Sequence, residues 1–208
     1  MPLDLWLTFV AASTALLLIP GPTVLLVLSY ALSQGKRVAV ASASGVALGD
    51  LVAMTASLAG LGALVLASAT LFTVLKWAGA AYLIWLGIKM LRAPAAEGLV
   101  ARSTPDSTAS HVFGHTAMVT ALNPKSIAFF IAFVPQFVQV DAPLIPQFTI
   151  LIATFVGLAA INAFAYALAA DKLRQTIRKP SVITWLTRGG GVALIAMGAL
   201  TATMRRST

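Results

Sequence analysis

Residues 38–67 read VAVASASGVALGDLVAMTASLAGLGALVLA, a run of thirty positions with a single charged side chain, Asp50. A helix rises about 1.5 Å per residue, so about 20 apolar residues cross the hydrocarbon layer of a membrane, which is about 30 Å thick. The run exceeds that length. It therefore predicts a membrane-spanning helix with one acidic group far from either end.

The composition of the whole chain supports the same environment. Of its 208 residues, 59% are hydrophobic and 10% are charged, whereas soluble domains are about 45–50% apolar and about 25% charged. This balance excludes a water-soluble enzyme. The net charge of +8 comes from Lys and Arg scattered between apolar runs, without the basic arm expected for nucleic-acid binding. The absence of Cys excludes disulfides, thiolate metal sites and Cys nucleophiles.

Six stretches are long and apolar enough to span a membrane, and we expect an all-α membrane protein. The predicted spans are 5–33, 38–67, 70–91, 112–134, 145–169 and 182–204. The polar segment 93–111 is predicted to be a linker between two three-helix units, residues 1–92 and 112–208. Basic residues concentrate in the loops on the side of this linker, which predicts that the linker is cytoplasmic and that both termini are outside.

The two units share a pattern of residues. Gly21-Pro22-Thr23 matches Asn123-Pro124-Lys125, and Gly45 and Asp50 match Gly157 and Asn162 with the same internal spacing. Units with an odd number of spans have opposite orientations in the membrane, so the pattern predicts two inverted repeats, an arrangement found in many secondary transporters. Chance similarity between helices rich in Gly and Ala is the alternative.

The matched prolines predict a break in the first and the fourth span. Gly21 and Asn123 are favourable N-cap residues, and Pro22 and Pro124 then occupy the first helical position, where the missing N–H is harmless. Two half-helices would direct free N–H groups towards the middle of the membrane and could bind a carboxylate. The alternative is a pair of ordinary proline kinks.

Asp50 is the only acidic side chain well inside an apolar stretch, about 20 Å from the cytoplasmic end of its helix. Ionisable groups at that depth are usually functional, and a carboxyl group can exchange a proton, so Asp50 is the predicted proton-coupling residue. Lys125 is the obvious counter-charge, and Asn162 is the counterpart of Asp50 in the second repeat. The predicted substrate-binding residues are Gly21, Pro22, Asp50, Asn123, Pro124, Lys125 and Asn162. A purely structural pairing of Asp50 with Lys125 is the alternative.

Other motifs give weaker signals. His111 and His115 have the spacing of two metal ligands on one helix face, but no third ligand is nearby, so neither a metal nor another cofactor is expected. The motifs H-E-x-x-H and G-x-S-x-G are missing, and we expect no enzyme. Small residues recur every four positions on the second predicted span, at Ala41, Gly45, Gly49 and Ala53, and indicate close helix packing.

The chain resembles the LysE/RhtB family of amino-acid exporters. The similarity rests on four motifs in order: Pro20-Gly21-Pro22, the run 45–50 (GVALGD), the run 76–87 (KWAGAAYLIWLG), and Asn123-Pro124-Lys125 followed by Phe129-Phe130 and Pro135-Gln136-Phe137. The resemblance implies a carrier of the bacterial inner membrane that exports amino acids or close derivatives in exchange for protons. Six spans are few for a carrier, so a homodimer is plausible. A passive channel and a membrane scaffold protein are the alternatives.

Overall fold

The computed structural model describes residues 1–18, 21–67, 69–93, 107–139, 142–177 and 180–203. The described residues form seven α-helices and one 3-10 helix, without strands, which confirms the all-α prediction. The α-helices are α1 Leu3–Leu18, α2 Pro22–Ala67, α3 Ala69–Arg92, α4 Ala109–Ala121, α5 Pro124–Ala132, α6 Leu144–Ile177 and α7 Pro180–Thr203. The 3-10 helix, Val134–Phe137, follows α5.

The helix boundaries differ from the six predicted stretches in one main respect. The end of the first stretch and the whole of the second form the single helix α2, which is kinked at Gly35. Gly35 has φ 80° and ψ −176°, a conformation that glycine adopts without the steric cost of a Cβ atom. The predicted loop between the two stretches is therefore a one-residue turn with helix on both sides.

Both predicted breaks are present. In the first half, α1 ends at Leu18 and α2 begins at Pro22; in the second, α4 ends at Ala121 and α5 begins at Pro124, with a bend of 44°. A proline at the first helical position has no N–H to lose and a φ angle suited to the helix, so the chain restarts there. Pro20 lies outside the described residues.

The outer surface is strongly apolar. Trp185, Ile145 and Ile161 are 81%, 80% and 69% exposed, an arrangement suited to lipid as the outer solvent. By length and composition, three of the described helices can cross a membrane, and the bent pair α4 and α5 would make a fourth. The helix α1 is apolar but shorter than a full span.

Two apolar clusters hold the helices together. The larger contains the buried phenylalanines of α1, α5, α6 and the 3-10 helix: the rings of Phe9 and Phe137 lie 5.2 Å apart, and those of Phe130 and Phe155 4.8 Å apart. The smaller joins α2, on both sides of its kink at Gly35, to α6. Its members are Val24, Val27, Leu28, Ala31, Ala39, Ala43, Val46, Ala163, Ala167 and Ala170.

Small residues allow backbones to touch at two helix pairs. A Cβ atom at Gly49 of α2 would lie 2.5 Å from the Ala117 carbonyl oxygen of α4, and one at Gly45 would collide with the Phe113 carbonyl oxygen. Between α3 and α7, a Cβ atom at Gly87 would lie 2.6 Å from the Gly191 carbonyl oxygen, and one at Gly191 2.7 Å from that of Gly87. The predicted packing role of Gly45 and Gly49 is confirmed.

Part of the predicted organisation lies outside the described residues. Residues 94–106, most of the predicted linker, are among these, as are Arg178 and Lys179, two basic residues between the predicted spans 145–169 and 182–204. The description resumes at Ser107, whose N–H donates to Gln34 Oε1 at 3.2 Å. The start of the second unit is thereby tied to the end of the first segment of α2.

Candidate functional site

A cavity lies beside the two helix breaks and contains about 470 Å³ of space unfilled by atoms, partly open to the surroundings. Five of the seven predicted substrate-binding residues line it: Gly21, Asp50, Asn123, Lys125 and Asn162. The structure therefore brings together residues from α2, the α4–α5 break, α5 and α6.

Asp50 is the acidic group of this cavity. Its side chain is only 3% exposed, yet its carboxyl group forms no hydrogen bond with any residue in the described part of the chain. Lys125, on the cavity wall, is close enough for the two charges to interact. A buried carboxyl group without hydrogen-bond donors is costly unless a ligand or a proton satisfies it.

Lys125 reaches from α5 to the break in the other half of the molecule. Its Nζ atom donates to the carbonyl oxygen of Leu16, near the end of α1, at 3.2 Å. A Cβ atom placed on Gly21 would lie 3.2 Å from the same Nζ atom. The ammonium group of the second half therefore lies at the break of the first half, beside the start of α2.

Asn123 closes the N-terminal end of α5. Its Oδ1 atom accepts from the backbone N–H of Lys125 at 3.0 Å, and its Nδ2 atom donates to Thr23 Oγ1 at 3.2 Å. The side chain thus caps its own helix and bonds to the opposite break at the same time. Asn123 contributes to the shape of the site, and the N–H of Lys125 is already occupied.

Gly21 leaves the corresponding end of α2 open. Glycine has no side chain that could accept a hydrogen bond from the N–H groups of Thr23 or Val24, the second and third residues of α2. Both residues line the cavity. Since N–H groups at the start of a helix favour an anion, and the Lys125 ammonium lies next to them, this end of the cavity can bind a carboxylate.

Asn162 holds the other side of the first break. Its Nδ2 atom donates to the carbonyl oxygen of Leu17 at 3.1 Å. Together with Lys125 it satisfies two of the carbonyl groups that the end of α1 leaves without helical partners. Asn162 therefore lines the cavity with part of its hydrogen-bonding capacity already used.

The two prolines act through the backbone. Pro22 and Pro124 are the first residues of α2 and α5, and Pro124 is exposed and does not line the cavity. Each fixes the point at which its helix begins. They position the N–H groups that follow them, which is an indirect contribution to the site.

The sequence reasoning missed the apolar side of the cavity. This side is formed by Val24, Val27, Val46, Ala159, Ala163 and Tyr166. On α6, Ala159 lies three positions before Asn162 and Tyr166 lies four positions after it, and this helical spacing could have indicated both residues. Ala163 follows Asn162 directly. Val24, Val27 and Val46 carry no such signal, because valine is common throughout the chain.

The histidine pair takes part in a different contact. The Nδ1 atom of His115 lies 2.9 Å from the hydroxyl oxygen of Tyr30, and its ring stacks on His111 with centroids 6.3 Å apart. Among the described residues, no group of three His, Asp or Glu side chains could hold a metal ion. The pair joins α4 to α2 outside the cavity.

Comparisons with known proteins match the chain over its whole length. The profile of the family described as LysE type translocator matches residues 14–205. The chain is 34% identical over 207 residues to a homoserine/homoserine lactone efflux protein of Salmonella typhimurium, with all of both chains covered. It is 34% identical over 205 residues to an uncharacterized membrane protein of Vibrio cholerae, with 99% of this chain and 100% of the relative covered.

A third relative is similar over a shorter region. The chain is 33% identical over 137 residues to a leucine efflux protein of Klebsiella pneumoniae, which covers 66% of this chain and 65% of the relative. No solved structure matches the chain. Because the family profile matches almost the entire chain, this match is sufficient to assign the family.

Proposed function

We propose that the chain, which belongs to the LysE type translocator family, exports an amino acid or a close derivative across the bacterial inner membrane in exchange for protons. The observation that carries this proposal is the cavity in which Asp50 and Lys125 face the open end of α2. A relative along the full length of the chain is a homoserine/homoserine lactone efflux protein, and a relative along 66% of the chain is a leucine efflux protein. This supports efflux as the direction of transport.

The binding mode follows from the chemistry of the cavity. The carboxylate of the substrate binds to the Lys125 ammonium and to the N–H groups of Thr23 and Val24. Its ammonium group binds to the Asp50 carboxylate, which has no other hydrogen-bonding partner among the described residues. Both charges of the substrate are then paired, as buried charges must be.

Proton coupling follows from competition at Asp50. A carboxylate can bind either the ammonium group of the substrate or a proton, because the protonated form has lost the charge that attracts the ammonium. Binding of a proton therefore favours release of the substrate on one side, and release of the proton permits the next substrate to bind on the other. This alternation exchanges the substrate for a proton across the membrane.

The architecture proposed for this cycle has six spans in two inverted repeats. In it, α1 and the part of α2 before Gly35 form the first, broken span, and the part of α2 after Gly35 forms the second. The helix α4 is the first half of the other broken span, which α5 continues. Support comes from packing between the halves: α6 packs against both parts of α2, and α4 packs against the later part of α2 at Gly45 and Gly49. Both termini are outside in this proposal, and a homodimer is compatible with it.

Reconstituted protein tests the proposal. In proteoliposomes with an imposed pH gradient, the unaltered chain is expected to accumulate a radiolabelled neutral amino acid against its concentration gradient. Asp50→Asn keeps the shape of the side chain and removes its titration, so accumulation should be lost while slow exchange persists. Asp4→Asn, on an exposed position of the first turn of α1, is the matched control.

Three results would contradict the proposal. Uphill, pH-driven accumulation by properly inserted Asp50→Asn protein would place the coupling site elsewhere. Leak of solute without saturation and without response to the pH gradient would indicate a passive channel. Absence of any solute movement, combined with tolerance of the Asp50 substitution in cells, would indicate a scaffold protein.

A further inference from the structure

The charges of the cavity are few and of opposite sign. Among the described residues that line it, Asp50 and Lys125 are the only ones with a charged side chain. In the binding mode proposed above, the ammonium group of the substrate pairs with Asp50 and its carboxylate with Lys125. No charged group of the described wall is left for a third charge on the substrate.

Apart from these two charges, the wall contains the uncharged polar residues Thr23, Asn123, Ser126 and Asn162 and an apolar side. Val24, Val27, Val46 and Ala163 line the cavity and belong to the buried cluster between α2 and α6, with 9%, 1%, 3% and 4% of their surfaces exposed. The ring of Tyr166 packs against the same cluster. With the charged groups of the substrate at Asp50 and Lys125, its side chain has this apolar side, with aliphatic groups and one aromatic ring, as the part of the wall free of charged and amide groups.

This wall discriminates between classes of amino acid. A second ammonium or carboxylate group buried there would lose its water and gain no opposite charge, which is strongly unfavourable. An aliphatic side chain gains from the same burial, by roughly fourfold in affinity for each CH₂ group. The hydroxyl group of Tyr166 can donate and accept a hydrogen bond, so a substrate side chain with a hydroxyl group is compatible with this wall as well.

From this arrangement we infer that the substrate is an α-amino acid with an uncharged, mainly aliphatic side chain, and that Val27 and Ala163 set the size of side chain that is accepted. The inference rests on the proposed transport function and specifies its substrate class. Val27 projects from α2 and Ala163 from α6, so the two residues bound the pocket from different helices.

The first test compares substrates on the unaltered protein. Proteoliposomes are loaded with one unlabelled amino acid, and the same amino acid is supplied outside in radiolabelled form, for leucine, valine, alanine, homoserine, lysine and glutamate. We expect exchange of the uncharged amino acids at least about 10-fold faster than that of lysine or glutamate. Exchange of lysine or glutamate at the rate of the best uncharged amino acid would overturn the inference and leave transport of amino acids standing.

The second test changes the size of the pocket in both directions. Ala163→Val narrows it and should lower the ratio of leucine exchange to alanine exchange by about 10-fold, whereas Val27→Ala widens it and should raise that ratio. Ala167→Val is the matched control, because Ala167 is 5% exposed in the same cluster, one turn further along α6, and does not line the cavity.

The ratio is independent of how much protein inserts correctly, so partial misfolding of a variant does not affect the result. An unchanged ratio in both Ala163→Val and Val27→Ala would overturn the assignment of these residues. Failure of every amino acid to exchange, with the protein present in the liposomes, would instead overturn the proposed function. The two failures are therefore distinguishable.

Discussion

The two helix breaks occupy equivalent places in the two halves of the chain but differ in chemistry. At the second break, Asn123 caps α5 with its own side chain and bonds to Thr23. At the first break, Gly21 provides no cap, and the nearest cation is Lys125, which comes from the other half. Similar sequences thus give one break that is closed on itself and one that is open to an anion.

The comparison shows that the two halves contribute different chemical groups to the site. The second half contributes side chains: Lys125, Asn123 and Asn162 all form hydrogen bonds to the first break or its neighbours. The first half contributes exposed backbone groups and the acid Asp50. We therefore expect substitutions at the two breaks to have unequal effects, and the three predictions below test this inequality.

The largest effect is expected for Lys125→Met. The substitution keeps most of the side-chain length and removes the charge that the substrate carboxylate and the Leu16 carbonyl oxygen share. Removing one partner of a buried charge pair typically costs about 2–5 kcal/mol, so we expect exchange to fall on the order of 100-fold or more. Exchange of radiolabelled leucine in proteoliposomes measures it, with Lys36→Met, an exposed residue of α2, as control.

A rate within a few-fold of the unaltered protein would show that the cation is dispensable. The asymmetry between the breaks would then have no role in binding, and the substrate carboxylate would depend on backbone N–H groups alone.

A smaller but large effect is expected for Gly21→Asn, which gives the first break the residue found at the second. The new side chain can cap α2 and competes for the N–H groups of Thr23 and Val24. Its Cβ atom would also lie 3.2 Å from Lys125 Nζ. We expect the apparent affinity for leucine to fall by about 10-fold or more, an effect of about 1.4 kcal/mol.

Gly114→Asn is the matched control, because an added Cβ atom at Gly114 meets no atom within 4 Å. Competition between leucine and the labelled substrate gives the affinity. If Gly21→Asn binds leucine as tightly as the unaltered chain, the open end of α2 is not the carboxylate site.

The smallest effect is expected for Asn123→Gly, which gives the second break the residue found at the first. Glycine is itself a tolerated N-cap, so the loss of the cap costs only a few tenths of a kcal/mol, and the lost bond to Thr23 adds about 1 kcal/mol. We expect a lower melting temperature and exchange within about threefold of the unaltered rate. Tryptophan fluorescence on heating and leucine exchange measure the two effects.

Should Asn123→Gly abolish exchange while the protein remains folded, the second break would be as important for binding as the first. The comparison would then have to be reversed, with the capped end of α5 as part of the substrate site.

The sequence was sufficient for the local features of the fold and insufficient for the contacts between halves. Apolar runs predicted helices, and the two Gly/Asn-Pro pairs predicted where helices restart, because both depend on neighbouring residues. The bond from Lys125 to Leu16 joins residues 109 positions apart. Nothing in the local pattern indicated that Lys125 lies at the opposite break.

The single helix α2 and the apolar wall were not predicted for different reasons. The turn at Gly35 requires a specific backbone conformation. The polar residues around it are typical of an ordinary loop, so the sequence predicted a loop at this point. The wall consists of valine and alanine, and these residues line lipid, core and cavity alike in a membrane protein. Only the charged residues, the Gly/Asn-Pro pairs and Asn162, which the repeat matched to Asp50, were distinctive enough to indicate the site.

The contact between Gly87 and Gly191 has a mechanical consequence. A Cβ atom on either glycine would lie 2.6 or 2.7 Å from the backbone carbonyl oxygen of the other, and one on Gly198 would lie 2.8 Å from the Ala80 carbonyl oxygen. With backbone against backbone and side chains such as Ile195 and Leu91 packed beside the contact, little free space is left in which a displacement could be absorbed. We therefore expect α3 and α7 to move as one rigid body, so that relative motion within the protein occurs at other helix contacts.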